Sequence, residues 1–163
     1  MPSPIRPTDD DARRLARALM EDARFAALGV LDADGSPLVT RVAFALDAEG
    51  APLSLVSDLA AHTPALRRTP ACSLLVGEPG KKGDPLTYPR LSLMCNAAFC
   101  AHGSAAHGAL AAHYLAGHPR AKLYLQFSDF SFVRFHVKSA LLNGGFGKAF
   151  RLTAADLGLT PQD

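Results

Sequence analysis

Residues 25–57, FAALGVLDADGSPLVTRVAFALDAEGAPLSLVS, decide the fold. Two turn signals, Asp32-Ala-Asp-Gly35 and Asp47-Ala-Glu-Gly50, cut this stretch into three apolar segments. Aspartate and glycine favour chain reversal there. The carboxylate bonds its own backbone two residues on, and glycine reaches positive φ without a Cβ penalty. The segments that remain are residues 25–31, 37–46 and 52–57, and the second carries Val39, Thr40 and Val42. Their β-branched side chains suit a pleated surface. Three strands joined by short turns predict an antiparallel meander.

The same reading extends outward. Residues 58–70 break the strand rhythm, with Thr63 as the expected cap of a short helix, Pro64 at its first position and Pro70 ending it. Residues 71–77 predict a fourth strand and residues 90–100 a fifth. Between them lies a loop with three prolines, two glycines and two lysines. An alanine- and histidine-rich helix over 104–116 follows, then a helical segment from Pro119 to about Leu125, then a sixth strand over 127–137 whose residues alternate. Towards the N-terminus, residues 1–8 read as a tail. Thr8 is the expected cap of a first helix with Asp9, Asp10 and Asp11 in its opening turn and an apolar stripe of Leu15, Leu19 and Met20. A last helical turn is expected near Thr153. Six strands with short flanking helices predict an α+β fold, a six-stranded antiparallel β-barrel that closes its own edges.

Composition narrows the class. The 163 residues suit one domain, and a chain of this length buries enough surface to fold without staples. No apolar run is long enough to span a membrane, and residues 1–10 lack the apolar core of a signal peptide, so a cytoplasmic protein is expected. The net charge of +2 and the short basic pairs Arg13-Arg14, Arg67-Arg68 and Lys81-Lys82 argue against a nucleic-acid binder. Cys72, Cys95 and Cys100 form no CxxC and are odd in number, which points to reduced, mostly buried thiols.

Among segments able to carry chemistry, Ser57-Asp-Leu-Ala-Ala-His-Thr63 is the sharpest. It leaves a strand and enters a helix, where free backbone N–H groups favour an anion. Ser57, His62 and Thr63 supply side-chain donors, and Arg41 on a neighbouring strand can add a bidentate charge, which together describe a phosphate cradle. Four histidines, at 102, 107, 113 and 118, are spaced by five, six and five residues, which suits no pair of ligands on one helix face, so no metal is expected. The chain holds no G-x-S-x-G, no phosphate loop and no G-x-G-x-x-G. Asn143-Gly-Gly-Phe-Gly-Lys148 reads as a tight bend or as backbone brought close to a ligand. Asp129, amid Phe127, Phe130 and Phe132, reads as a carboxylate in an apolar setting or as a partner of Arg134 or of a second chain.

The stretch LVSDLAAHTPALRRTPACSLLV (55–76) resembles the signature of flavin-binding split-barrel proteins related to pyridoxamine 5′-phosphate oxidase. PRLSLMCNAAF, HPRAKLYLQFSDFSFVRF and NGGFGKA are similar to the HugZ-type haem-utilisation subgroup, and the resemblance runs from about residue 11 to 157. It implies an FMN-binding split barrel that forms a homodimer, with two FMN sites at the interface and a small-molecule substrate. It implies that Arg41, Ser57, His62 and Thr63 hold the phosphate end, that Val56 lies beside the isoalloxazine by its backbone, and that Arg90 and the 144–148 loop face the ring or the substrate.

The pattern also departs from its relatives. Leu46 stands about where the oxidases carry a basic residue, and their basic pair is His62-Thr63 here. The substrate-phosphate signature of the oxidases is missing, so the expected substrate is not pyridoxamine phosphate. Cys95 stands where the subgroup usually has glycine. No histidine follows His136, whereas HugZ-type haem degraders place an iron ligand in a C-terminal extension, and no extension domain is expected here. The resemblance therefore implies an FMN-dependent oxidoreductase of unidentified substrate, with a non-catalytic haem- or flavin-binding protein as the alternative.

Overall fold

The computed structural model describes residues 3–161. In chain order the elements are β1 (Ile5–Arg6), α1 (Asp10–Asp22), β2 (Phe25–Leu31), β3 (Pro37–Ala43), β4 (Ala45–Leu46), β5 (Pro52–Ser57), α2 (His62–Arg68), β6 (Ala71–Val76), β7 (Arg90–Cys100), α3 (Ala105–Gly117), β8 (Phe130–Asn143) and β9 (Ala149–Thr153). Short 3₁₀ turns lie at Pro85–Thr87, Pro119–Leu123 and Ala155–Leu157.

The six expected strands form the barrel, and the sheet adds to them. Its order runs β1-β9-β8-β7-β6-β2-β3, while β4 pairs with β5 and β5 with β8. The expected second strand, 37–46, is therefore two pieces broken at Phe44, whose N–H turns aside to the Arg24 carbonyl (2.9 Å). The barrel closes only through that kink, because β3 itself has no hydrogen-bonded partner on its second edge. The sixth strand begins at Phe130 and runs to Asn143, past the expected end at residue 137. Its C-terminal part pairs with β9, a strand the reading missed because glycine and lysine precede it. Residues 5–6 of the expected tail pair in parallel with β9.

Local chemistry corrects two caps. Asp9, not Thr8, caps α1 by accepting the Ala12 N–H (2.8 Å), and the Thr8 hydroxyl donates to the Arg151 carbonyl (2.7 Å). The carboxylate is the stronger acceptor for exposed helix donors. At α2, Ala61 is the cap residue and gives no side-chain bond. Thr63 lies one turn position inside and donates to the Ser57 carbonyl (2.6 Å). The α1 stripe that is fully buried is Ala12, Ala16 and Met20, with Leu15 and Leu19 flanking it.

Inward residues of every barrel strand meet in one core, including Leu28, Leu74, Leu93, Val133 and Phe135. Each fully buried aliphatic side chain there contributes about 1.5–3 kcal/mol. A second apolar cluster lies outside the barrel, where α3 packs Leu110 and Tyr114 over Leu53, Leu55 and Phe132. Among the described residues no helix is long and apolar enough to cross a membrane.

Candidate functional site

The β5–α2 junction is fixed from three sides. Ser57 ends β5 opposite Phe130 of β8. Its hydroxyl accepts the Leu59 N–H (3.1 Å) and faces the Asp129 Oδ2 at 3.3 Å. The Asp58 N–H donates to the Asp129 carbonyl (2.7 Å). From the third side, Thr40 of β3 brings its hydroxyl to 2.9 Å from Nδ1 of His62. The structure thus joins Thr40, Ser57, His62, Thr63 and Asp129. Thr40 was not singled out in the sequence. Its signal was parity, because a residue next to Arg41 on a strand faces the other way.

That parity separates Arg41 from the cluster. Thr40 and Val42 turn inward, while Arg41 is exposed on the outer face, its guanidinium 5.1 Å from the centre of the Phe25 ring. Val56 is buried in the core, and its backbone lies in register with Ser131. Arg90 opens β7 opposite Asn143, and its guanidinium donates to the carbonyls of Leu86 (3.0 Å) and Tyr88 (3.2 Å). Phe130, the partner of Ser57, and Asn143, the partner of Arg90, are the two ends of β8. Asn143 accepts the Gly145 N–H (3.0 Å) at the base of the 144–148 bend, where Phe146 projects outward with 70% of its surface exposed.

The electrostatics follow from burial. His62 is buried, which pushes its imidazole below the usual histidine range and keeps it neutral. Thr63 is 1% exposed and already donates within the chain. Asp129 does not pair with Arg134. Arg134 lies 3.3 Å from Asp47 instead, and Asp129 faces the Ser57 hydroxyl. Among the described residues no serine hydroxyl meets an imidazole, so the cluster holds no serine–histidine nucleophile. Nor is any group of three His, Cys, Asp or Glu side chains there placed to hold a metal ion.

A cleft of about 590 Å³ opens beside α1 and is lined by Phe25, Ala27, Leu75, Gly77 and Tyr88, among others. Phe25 lies beneath Arg41, and Ala27 is the cross-strand partner of Arg41. The exposed charge that sequence reasoning placed in a phosphate cradle thus neighbours two residues that line this cleft and does not line it itself. The row continues across the sheet through registered partners, Arg41–Ala27–Leu75–Ser92–Leu141–Arg151. It carries small and apolar residues between two arginines.

The chain matches the family model described as CREG, beta-barrel, over residues 7–156. It is 37% identical over 117 residues to the non-canonical heme oxygenase HOZ, chloroplastic, of Arabidopsis thaliana, covering 72% of this chain and 35% of that protein. The chain thus spans about a third of that relative's length. Its fold overlays a heme binding protein from Mycobacterium smegmatis with a TM-score of 0.79 at 28% identity, covering 94% of this chain and 61% of the other. A protein of the pyridoxinephosphate oxidase family from Clostridium acetobutylicum gives a TM-score of 0.69 at 14% identity, over 92% and 99% of the two chains. This last likeness shows the split-barrel fold.

Proposed function

Because this chain belongs to the CREG β-barrel family, within the split barrels related to pyridoxamine 5′-phosphate oxidase and of the HugZ-like subgroup, we propose that it binds FMN and acts on a small molecule as a cytoplasmic, homodimeric oxidoreductase. Arg41 carries the reading. Its guanidinium is exposed, forms no ion pair among the described residues, and stands over Phe25, a residue that lines the 590 Å³ cleft. An unpaired guanidinium beside an apolar recess suits a phosphate joined to a flat ring.

The chain offers that group one cation, on the opposite face of β3 from the other donors. Arg41 would hold the phosphate, and Ser57 would add a hydroxyl only to a part of the ligand that reaches the β5–α2 junction. His62 is neutral, so it would add a hydrogen bond and no charge. FMN, when bound, supplies the electron-transfer chemistry, and the protein binds, orients and shields it. Arg90 and the bend carrying Phe146 lie at the far end of β8, so a second copy would bring them to the ring. The outer face supports self-association. Val39 is 68% exposed, Leu75 45% and Leu141 38%, and they share that face with the small residues Ala27, Gly29, Ser73 and Ser92. A flat sheet face with exposed aliphatic groups is the kind of surface a partner covers.

A second reading is a haem- or flavin-binding protein without turnover, and the likeness to the mycobacterial heme binding protein supports it. Absorbance spectra of the purified chain with added FMN, and separately with ferric haem, test both. Retained flavin with quenched fluorescence supports the first reading. A Soret shift with no retained flavin supports the second and sinks the first.

A further inference from the structure

Residues 101–128 contain four histidines, Arg120 and Lys122, and no carboxylate. This segment includes α3 and packs over the outer face of β5 and β8. Among the described residues it takes part in no ion pair. Three of its histidines fasten it to backbone carbonyls. His113 Nε2 donates to Leu46 (2.8 Å), His118 Nε2 to Phe44 (3.1 Å), and His102 Nδ1 to Phe130 (3.3 Å). A protonated imidazole keeps its N–H donors, so the bonds of His113 and His118 survive acid, while the longer His102 bond lies at the end next to His107.

The fourth histidine differs. His107 is 7% exposed, and its Nδ1 is buried without a partner. Its ring centre lies 4.5 Å from that of His102 and 5.1 Å from that of Phe132. Burial and the neighbouring His102 both lower its proton affinity. No charge that faces it from the surrounding elements offsets a proton. From β8 it meets the uncharged Phe132. The carboxylates next along those elements turn elsewhere, Asp47 to Arg134 and Asp129 to the Ser57 hydroxyl, and His102 is the charge partner that acts on His107. Tyr114 on its own helix stacks on His118, at 4.6 Å, and its buried hydroxyl has no partner. Arg120 and Lys122 add only positive charge.

We propose that α3 is a pH-sensitive clasp, hinged at His113 and His118 and released at its His102–His107 end when His107 takes up a proton. That proton joins a segment whose fixed charges, Arg120 and Lys122, are both positive. The proton on His107 sits in an apolar cluster beside a second imidazole, which opens the first turns of α3. The opening uncovers Phe132 and loosens the chain before β8, where Asp129 holds Ser57. Acid thereby unlocks the flank of the β5–α2 junction while the barrel stays folded.

Hydrogen exchange of the full chain at pH 7.5 and 5.5, corrected for intrinsic rates, tests this. Protection of α3 amides is expected to fall relative to β7, by at most about tenfold for each unit by which opening raises the proton affinity of His107. His107→Leu is expected to abolish that fall. Should this variant not fold, NMR titration of the wild-type imidazoles takes its place, with the His107 midpoint matching the loss of α3 protection. Equal protection at both pH values overturns the clasp, as does a loss that persists in His107→Leu or follows a different histidine.

Discussion

Ser57 and Asp129 lie 72 positions apart in sequence, and the Ser57 hydroxyl stands 3.3 Å from the Asp129 carboxylate. The Asp129 carbonyl accepts the Asp58 N–H at 2.7 Å, so one residue ahead of β8 holds the end of β5 by both its side chain and its backbone. The order of the β5–α2 junction therefore depends on a residue that belongs to neither element.

Asp129→Ala removes the carboxylate and leaves the backbone bond. The expected loss is about 0.5–1.5 kcal/mol, the net worth of one partly buried hydrogen bond. Urea denaturation reads it as a lower midpoint at unchanged slope. If Ser57 holds FMN, the affinity falls with it. A wild-type midpoint together with wild-type FMN affinity removes Asp129 from the site.

The sequence disclosed much of this because the turns are written in local residues. Asp32-Ala-Asp-Gly35 and Asp47-Ala-Glu-Gly50 place three strands without tertiary information. The break at Phe44 was not legible, since Phe44 is apolar and suits a strand, and only the Arg24 carbonyl diverts its N–H. Strand β9 was hidden for a related reason. Ala149–Thr153 is a short segment whose pairing with β8 is fixed by the preceding bend. In the candidate site, residue types were readable and facing was not. Arg41 and Thr40 are neighbours in sequence and lie on opposite faces of β3. Asp129 reached Ser57 rather than Arg134 because Asp47, from the β4–β5 turn, already stands beside that arginine.

Thr63 separates two roles. Its hydroxyl is buried and donates to the Ser57 carbonyl at 2.6 Å. Thr63→Val keeps the shape and removes one of the two hydrogen bonds to the Ser57 carbonyl, which still accepts the Ala60 N–H (3.1 Å), with an expected loss of about 0.5–1.5 kcal/mol. Thermal and urea unfolding measure it. A variant that folds as stably as wild type yet binds FMN less well would contradict the structural role and restore Thr63 as a phosphate donor.

Gly77 follows β6 with φ at +101°, and a Cβ there would stand 2.7 Å from the Pro89 carbonyl oxygen and 2.8 Å from the Arg90 Cα. Both neighbours are backbone, so neither can swing away. Gly77→Ala is expected to lose more than the about 1–3 kcal/mol of an unfavourable backbone conformation, because the clash adds to it. At this chain length each kcal/mol lowers Tm by about 2–4 °C. An unchanged Tm is incompatible with the close approach of residues 77 and 90.

The pH dependence of stability follows from His62. Burial lowers its proton affinity in the folded state, while in the unfolded chain an exposed histidine titrates near about 6.5. Between those two values the unfolded chain binds more protons than the folded one, so stability rises with pH there. The His62 contribution is complete above the unfolded value and is lost as pH falls through the window beneath it. The slope from one such group is at most about 1.4 kcal/mol per pH unit. His107 acts in the same direction and from a different place, since its protonation opens α3 without unfolding the barrel. His62→Asn, which carries no titrating proton, is therefore expected to flatten the dependence of global stability between pH 7.5 and 5.5 and to leave α3 exchange pH-dependent. Urea midpoints at several pH values measure the first and hydrogen exchange the second. A slope equal to that of wild type would mean that His62 is not kept neutral by its burial.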